Sequence, residues 1–157
     1  MLYDAAAMHD IGKVGVPDSI LNKPAQLNDA EYKEMTRHSQ LGYDIFKGSQ
    51  RPLLKTAAII AQQHHEHWDG NGYPLGLAGE EIHSYGRIVA VADVFDALTS
   101  KRCYKAPWSQ DKVFAFFASK SGSQFEPRLV EILLAHRDEM LEIHRRYDGT
   151  NAERSAG

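Results

Sequence analysis

The chain is 157 residues long, enough for one domain with a buried core of its own. It is 43% hydrophobic and 25% charged with a net charge of −3, which excludes a broadly basic nucleic-acid-binding surface; any anionic ligand must be held by a local pocket. No apolar run approaches the ~18 residues that cross a bilayer, no basic and apolar leader opens the sequence, and the one cysteine excludes an intrachain disulfide or a thiolate cluster, so a cytoplasmic protein without membrane contact is expected.

Leu2, Ala5, Ala6 and His9 recur at helical spacing, and Gly12, Gly15 and Pro17 then interrupt the pattern. Asn28 followed by Glu31 has the form of a capping box and predicts a helix to about Arg37 or His38, with a short helix following to Phe46. After Arg51-Pro52, residues Leu53, Leu54, Ala57, Ala58, Ile60, Ala61 and His64 mark the buried side of a helix ending near His65. From Trp68 to Gly79, four glycines and a proline in twelve residues preclude a stable helix. A helix from about Arg87 to Ser100 is expected to turn Ile88, Val91, Ala92, Phe95 and Leu98 inward. Ser109 is placed to cap another, with Val113, Phe114, Phe116 and Phe117, which Gly122 ends. Pro127 suits the first turn of a long terminal helix to about Tyr147 that buries Val130, Leu133, Leu134, Leu141 and Ile143. Residues 148–157 are small and polar and are expected to form a disordered tail. No strand pattern and no internal repeat is present, so the expected fold is all-α.

His9-Asp10 ends one apolar helix, His64-His65 ends another, and Asp93 lies within a third. Burying such groups unpaired is costly, and a shared divalent cation satisfies several at once. Imidazole and carboxylate donors without thiolate suit Mn, Fe, Zn or Ni better than calcium or magnesium. Taken singly, each position reads equally well as an ordinary packed residue: Asp93 as an ion-pair partner of Arg87 or Lys101, and His67, His83, His136 and His144 as surface or packing histidines. The metal expectation rests on the joint arrangement.

That arrangement resembles a known family. His9-Asp10-Ile11-Gly12-Lys13 matches the HDIGK signature of the HD superfamily of phosphohydrolases. The run from His64-His65-Glu66 through Trp68-Asp69-Gly70 to Gly72-Tyr73-Pro74 matches the HHExWDGxGYP signature of its HD-GYP branch, and Arg87 to Ser100, then Arg102-Cys103-Tyr104-Lys105, continue the pattern. The match runs roughly from Leu2 to Leu134, with two departures: Cys103 where proline is frequent, and Glu126 where aspartate is frequent.

The resemblance implies a helical HD-domain bundle with a glycine-rich GYP loop over residues 1–147. It implies two divalent metal ions, Fe or Mn foremost with Zn or Ni as alternatives. Asp10 would bridge them, with His9 and Asp93 on one ion and His38, His64 and His65 on the other. Lys13, Arg102 and Lys105 would hold the phosphates, with Asp10 and Lys13 acting in catalysis; Tyr73 would meet the nucleotide, and Asp96 would fix a ligand, contact guanine or pair with Lys13. The implied activity is hydrolysis of cyclic di-GMP to pGpG or GMP in bacterial second-messenger signalling. Implied partners are cyclic di-GMP itself, diguanylate cyclase (GGDEF) domains through the GYP loop, and a receiver or sensor domain upstream, with no nucleic-acid polymer. The family draws a further histidine from a helix preceding the HDIGK segment, so the domain is expected to be N-terminally incomplete. That absence supports an alternative, a cyclic di-GMP sensor or docking module impaired in catalysis; a third reading is an HD hydrolase for another nucleotide.

Overall fold

A computed structural model describes the backbone of residues 1–100 and 107–154, and side chains as far as Tyr147 outside that gap. Its regular elements are helical: α1 (Leu2–Ala6), α2 (Asp18–Leu21), α3 (Asp29–Phe46), α4 (Pro52–Gln63), α5 (Ser84–Thr99), α6 (Gln110–Ser119), α7 (Pro127–Ala135) and α8 (Arg137–Arg154), with 3₁₀ helices at Ile11–Gly15 and Gly79–Glu81. Among the described residues only two isolated β-bridges occur, Asp69 with Ala78 and Ser121 with Phe125. The all-α expectation holds. The chain divides into two compact units, Met1–Ala90 and Val91–Gly157, and α5 runs from the first into the second.

In the first unit, α3 starts at the expected capping box. The Asn28 side chain accepts from the Glu31 N–H at 2.9 Å, and the Glu31 carboxylate accepts from the Asn28 N–H at 2.8 Å. Such a cap contributes about 1 kcal/mol. The helix then continues unbroken to Phe46, past the expected stop near His38. Gly42 does not end it, because it serves close packing: a Cβ there would lie 2.9 Å from the Ala61 Cβ of α4. Helix α4 places Pro52 in its first turn, where the missing N–H has no intrahelical acceptor to lose, and buries Thr56, Ala57, Ala58, Ile60 and Ala61. Ala5, Ala57, Ile60 and Val89 form the core of this unit. Helix α1 ends at Ala6 and not at His9; the chain winds on in turns, with His9 N–H donating to the Ala6 carbonyl.

The second unit is built on aromatic packing. Val91, Phe95, Val113, Phe114, Phe117, Phe125, Val130 and Leu133 make one cluster, with Phe117 and Phe125 centroids 4.8 Å apart. Each such ring contributes about 1.5–3 kcal/mol on burial. The single terminal helix expected after Pro127 is two helices, broken at His136 (φ −111°, ψ 33°), and the helical backbone of α8 extends beyond Tyr147 to Arg154. Ile143 is exposed because the apolar stripe of α8 is narrow, formed by Met140 and Leu141. Ile88 and Leu53 are likewise exposed: on α5 the buried positions beside Ile88 are Val89 and Ala90, and on α4 burial begins at Thr56.

Candidate metal centre

The site is assembled from three segments of the first unit. Asp10 is the N-cap of the 3₁₀ helix Ile11–Gly15, and Lys13 follows one 3₁₀ turn later. Residues three apart eclipse in that geometry, so the Lys13 ammonium lies on the Asp10 Oδ2. His38 is buried in the middle of α3, and His64 is the C-cap of α4, with His65 next. Asp10, His38, His64 and His65 each offer one donor atom, and these atoms lie within 4.8 Å of one another.

The backbone orients the imidazoles. His9 Nδ1 lies 2.8 Å from the Ala6 carbonyl, His38 Nδ1 2.7 Å from that of Met35, and His64 Nδ1 3.0 Å from those of Ile60 and Ala61. A carbonyl oxygen only accepts, so each Nδ1 carries a hydrogen, and on the neutral rings of His38 and His64 the lone pair is left on Nε2. The Nε2 atoms converge on Asp10: His38 at 3.4 Å and His64 at 3.9 Å from Oδ1, and His9 at 3.3 Å from Oδ2. Asp10 Oδ1 and His64 Nε2 are both buried without a hydrogen-bond partner. Buried polar atoms are normally satisfied, and a divalent cation fits both, together with the donor set. Ring contacts close the cluster, with His64 and His65 centroids 3.9 Å apart and His38 and His65 5.0 Å apart.

Electrostatics match that role. Burial opposes ionisation of Asp10, yet the hydrogen bonds and charges of His9 and Lys13 prevail and hold it well below the usual carboxylate range. Burial pushes His64 down to about 4, helped by the nearby His9 and His38, and pushes His38 down as well. Both are therefore neutral donors at neutral pH. The unfolded chain binds the His64 proton more tightly, so the stability from this group is complete above pH ~6.5 and is lost as pH falls toward 4. Metal-stripped protein should lose about 2 kcal/mol between pH 7 and pH 5 from His64 alone. Urea unfolding in chelator at the two pH values measures this, and equal midpoints would contradict it.

The glycine-rich loop is held by a residue that the sequence reading did not single out. Glu66 is only 2% exposed, and its carboxylate accepts from Leu75 N–H at 2.7 Å and Leu77 N–H at 2.9 Å. The available signal was a carboxylate directly after the histidine pair and before a loop rich in backbone N–H groups lacking regular partners. Gly72 is required by close approach, since a Cβ would sit 2.2 Å from His67 N and 2.5 Å from Glu66 Cα. Tyr73 N–H donates to the His65 carbonyl at 3.1 Å, and its ring lies 4.8 Å from the His65 ring. Replacing Glu66 with alanine leaves two loop N–H groups without their acceptor, at about 1–3 kcal/mol each. Faster hydrogen exchange at Leu75 and Leu77 is the expected readout, and unchanged protection would rule the clamp out.

His9, Asp10, Lys13, His38, His64, His65 and Tyr73 are thus gathered in the first unit. Asp93 and Asp96 lie on the part of α5 that belongs to the second unit. Asp93 is half-buried; Asp96 is exposed and accepts from Ser100 Oγ at 2.9 Å. Arg102 and Lys105 lie outside the described residues. His67, His83, His136 and His144 do not join the donor cluster.

A helical scaffold that converges imidazoles on a single carboxylate has the build of a metal-dependent phosphohydrolase domain. The family model described as HD domain matches residues 1–129, and the chain belongs to that family, with the motif of its HD-GYP branch. It is 48% identical over 143 residues to a 3′3′-cGAMP-specific phosphodiesterase of Vibrio cholerae, covering 91% of this chain and 27% of that protein. It is 48% identical over 139 residues to a cyclic di-GMP phosphodiesterase response regulator of Xanthomonas campestris (88% and 37%). To a cyclic di-GMP phosphodiesterase of Thermotoga maritima it is 43% identical over 153 residues (98% and 42%). The chain therefore spans about a quarter to two-fifths of these relatives. The crystal structure of a cyclic GMP-AMP phosphodiesterase of V. cholerae shares the fold, with a TM-score of 0.63 at 21% identity, over 94% of this chain and 39% of that one. No described helix is long and apolar enough to cross a membrane.

Proposed function

We propose that this chain is the hydrolytic domain of a cyclic dinucleotide phosphodiesterase that cleaves cyclic di-GMP to pGpG or GMP. The observation that carries this reading is the division of labour at Asp10. One carboxylate oxygen faces His38 and His64, and the other faces His9. That geometry supports Asp10, His38, His64 and His65 as the residues that would hold one divalent ion, with His9 beside the second oxygen; the second ion, with His9 and Asp93, follows from the family resemblance alone. The donor set favours Fe or Mn, with Zn or Ni as alternatives. Ions bound there supply Lewis acidity and activate water at neutral pH.

The chain's own groups supply the rest. The helix carbonyls of Ala6, Met35, Ile60 and Ala61 fix the histidine tautomers, so the donors need no reorganisation on binding. Lys13, paired with Asp10, would turn to a phosphate oxygen, and Arg102 and Lys105 are assigned to the phosphates by the family resemblance alone. Tyr73, tied to His65, would meet the nucleotide, and the resemblance assigns Asp96 to fixing a ligand, contacting guanine or pairing with Lys13. GGDEF domains docking on the GYP loop, a receiver or sensor domain upstream and a cytoplasmic setting accompany this reading.

A second substrate, 3′3′-cGAMP, is favoured by the name of the Vibrio relative. Chain reconstituted with Mn or Fe and offered each nucleotide in turn decides between them. The expected products of cyclic di-GMP are pGpG or GMP, resolved by chromatography. Metal-replete protein that binds cyclic di-GMP and cleaves neither nucleotide would instead establish a sensor.

A further inference from the structure

The metal donors and cationic groups account for the phosphates of a cyclic dinucleotide, and Tyr73, already set against the nucleotide, is one wall of a base seat whose other wall is unassigned. Resting on the nucleotide reading above, we propose that Tyr32 and Tyr73 form an aromatic corner that receives one purine base of the substrate. The rings run outward from the donor cluster in a connected series. Tyr73 lies 4.8 Å from His65 at 35° and 6.4 Å from His38 at 79°. Tyr32 stands next, 6.4 Å from Tyr73 and nearly perpendicular to it at 83°.

Both tyrosines are held by their backbones. Tyr73 N–H is bonded to the His65 carbonyl, and Tyr32 N–H donates to the Asn28 carbonyl at 2.8 Å in the capped first turn of α3, the helix that bears His38. Tyr32 nevertheless remains 55% exposed. A solitary exposed tyrosine is ordinary surface. This one is the outer end of an aromatic series that begins at the donor histidines and runs through the ring already set against the nucleotide. Every base presents a π-face, so stacking tolerates base identity. The corner therefore serves guanine and adenine alike, and the choice between cyclic di-GMP and 3′3′-cGAMP rests on other residues.

The test compares the full chain, loaded with Mn, as wild type and as Tyr32→Ala, Tyr32→Leu, Tyr32→Phe and Tyr32→Trp. Equilibrium dialysis of cyclic di-GMP is measured beside KM and kcat. Tyr32→Ala and Tyr32→Leu should weaken binding and raise KM about tenfold, within the range that base stacking loses on truncation, and affect kcat less. The Phe and Trp variants should bind as wild type does, and bound metal should be equal in all five proteins. Leucine keeps apolar bulk without a π-face, so it decides the matter even where alanine disturbs folding. A Tyr32→Leu protein that binds both nucleotides as tightly as wild type overturns the corner alone. A wild-type chain that neither binds nor cleaves cyclic dinucleotides overturns the proposed function and the corner together.

Discussion

Replacing Asp10 with asparagine is expected to weaken metal binding by at least about 100-fold and to abolish turnover of cyclic dinucleotides. Losing a group that merely orients a ligand costs ~10–100-fold in metal affinity, and Asp10 is placed as a ligand itself. Asparagine keeps the shape and removes the charge. Its amide also puts N–H groups where a lone pair is required: against Lys13 on one side, or on the other in place of the oxygen that would share a cation with His38 Nε2. Manganese titration by calorimetry, metal analysis after dialysis and a product assay measure the three consequences. Unfolding in chelator separates ligand loss from collapse, since the helices that position His38 and His64 do not depend on the Asp10 charge. D10N protein that keeps its metal and cleaves the nucleotide within a few-fold of wild type would remove Asp10 from the centre of the site.

Much of this was legible in the residues, and the limits have physical causes. The capping box at Asn28 and Glu31 is a local device, and it appears where the pattern puts it. The clustering of His9, Asp10, His38, His64 and His65 was also anticipated, though through the motifs more than through periodicity, because spacing cannot say which helix ends meet. The stop expected near His38 did not occur, and what holds α3 in one piece there is tertiary: Gly42 packs against the Ala61 Cβ of α4, a contact that one dimension does not display. The break at His136 interrupts an apolar period with no proline or glycine to announce it. Glu66 and Tyr32 passed unnoticed for a related reason. Each acts through a partner set by tertiary structure: the Leu75 and Leu77 N–H groups for one, the Tyr73 ring for the other.

Gly12→Ala should do at the scale of the backbone what D10N does at the scale of one charge, and Gly48→Ala is its control. A Cβ on Gly12 would lie 2.0 Å from the His38 carbonyl oxygen and 2.5 Å from Gly42 N, both main-chain atoms of α3. No rotamer relieves such a contact, so the 3₁₀ helix and α3 must separate. The expected cost is about 1–3 kcal/mol, the usual range for overpacking a tight interior. The same separation moves Asp10, which caps that 3₁₀ helix, away from His38, so metal affinity should fall together with stability. A Cβ on Gly48 meets nothing within 4 Å, so G48A should match wild type or gain slightly from a stiffer unfolded chain. Urea midpoints and manganese titrations of the two variants give the comparison. G12A protein as stable and as metal-retentive as G48A would mean that the turn bearing Asp10 and the helix bearing His38 yield at no cost, and that the donor cluster does not depend on their close approach.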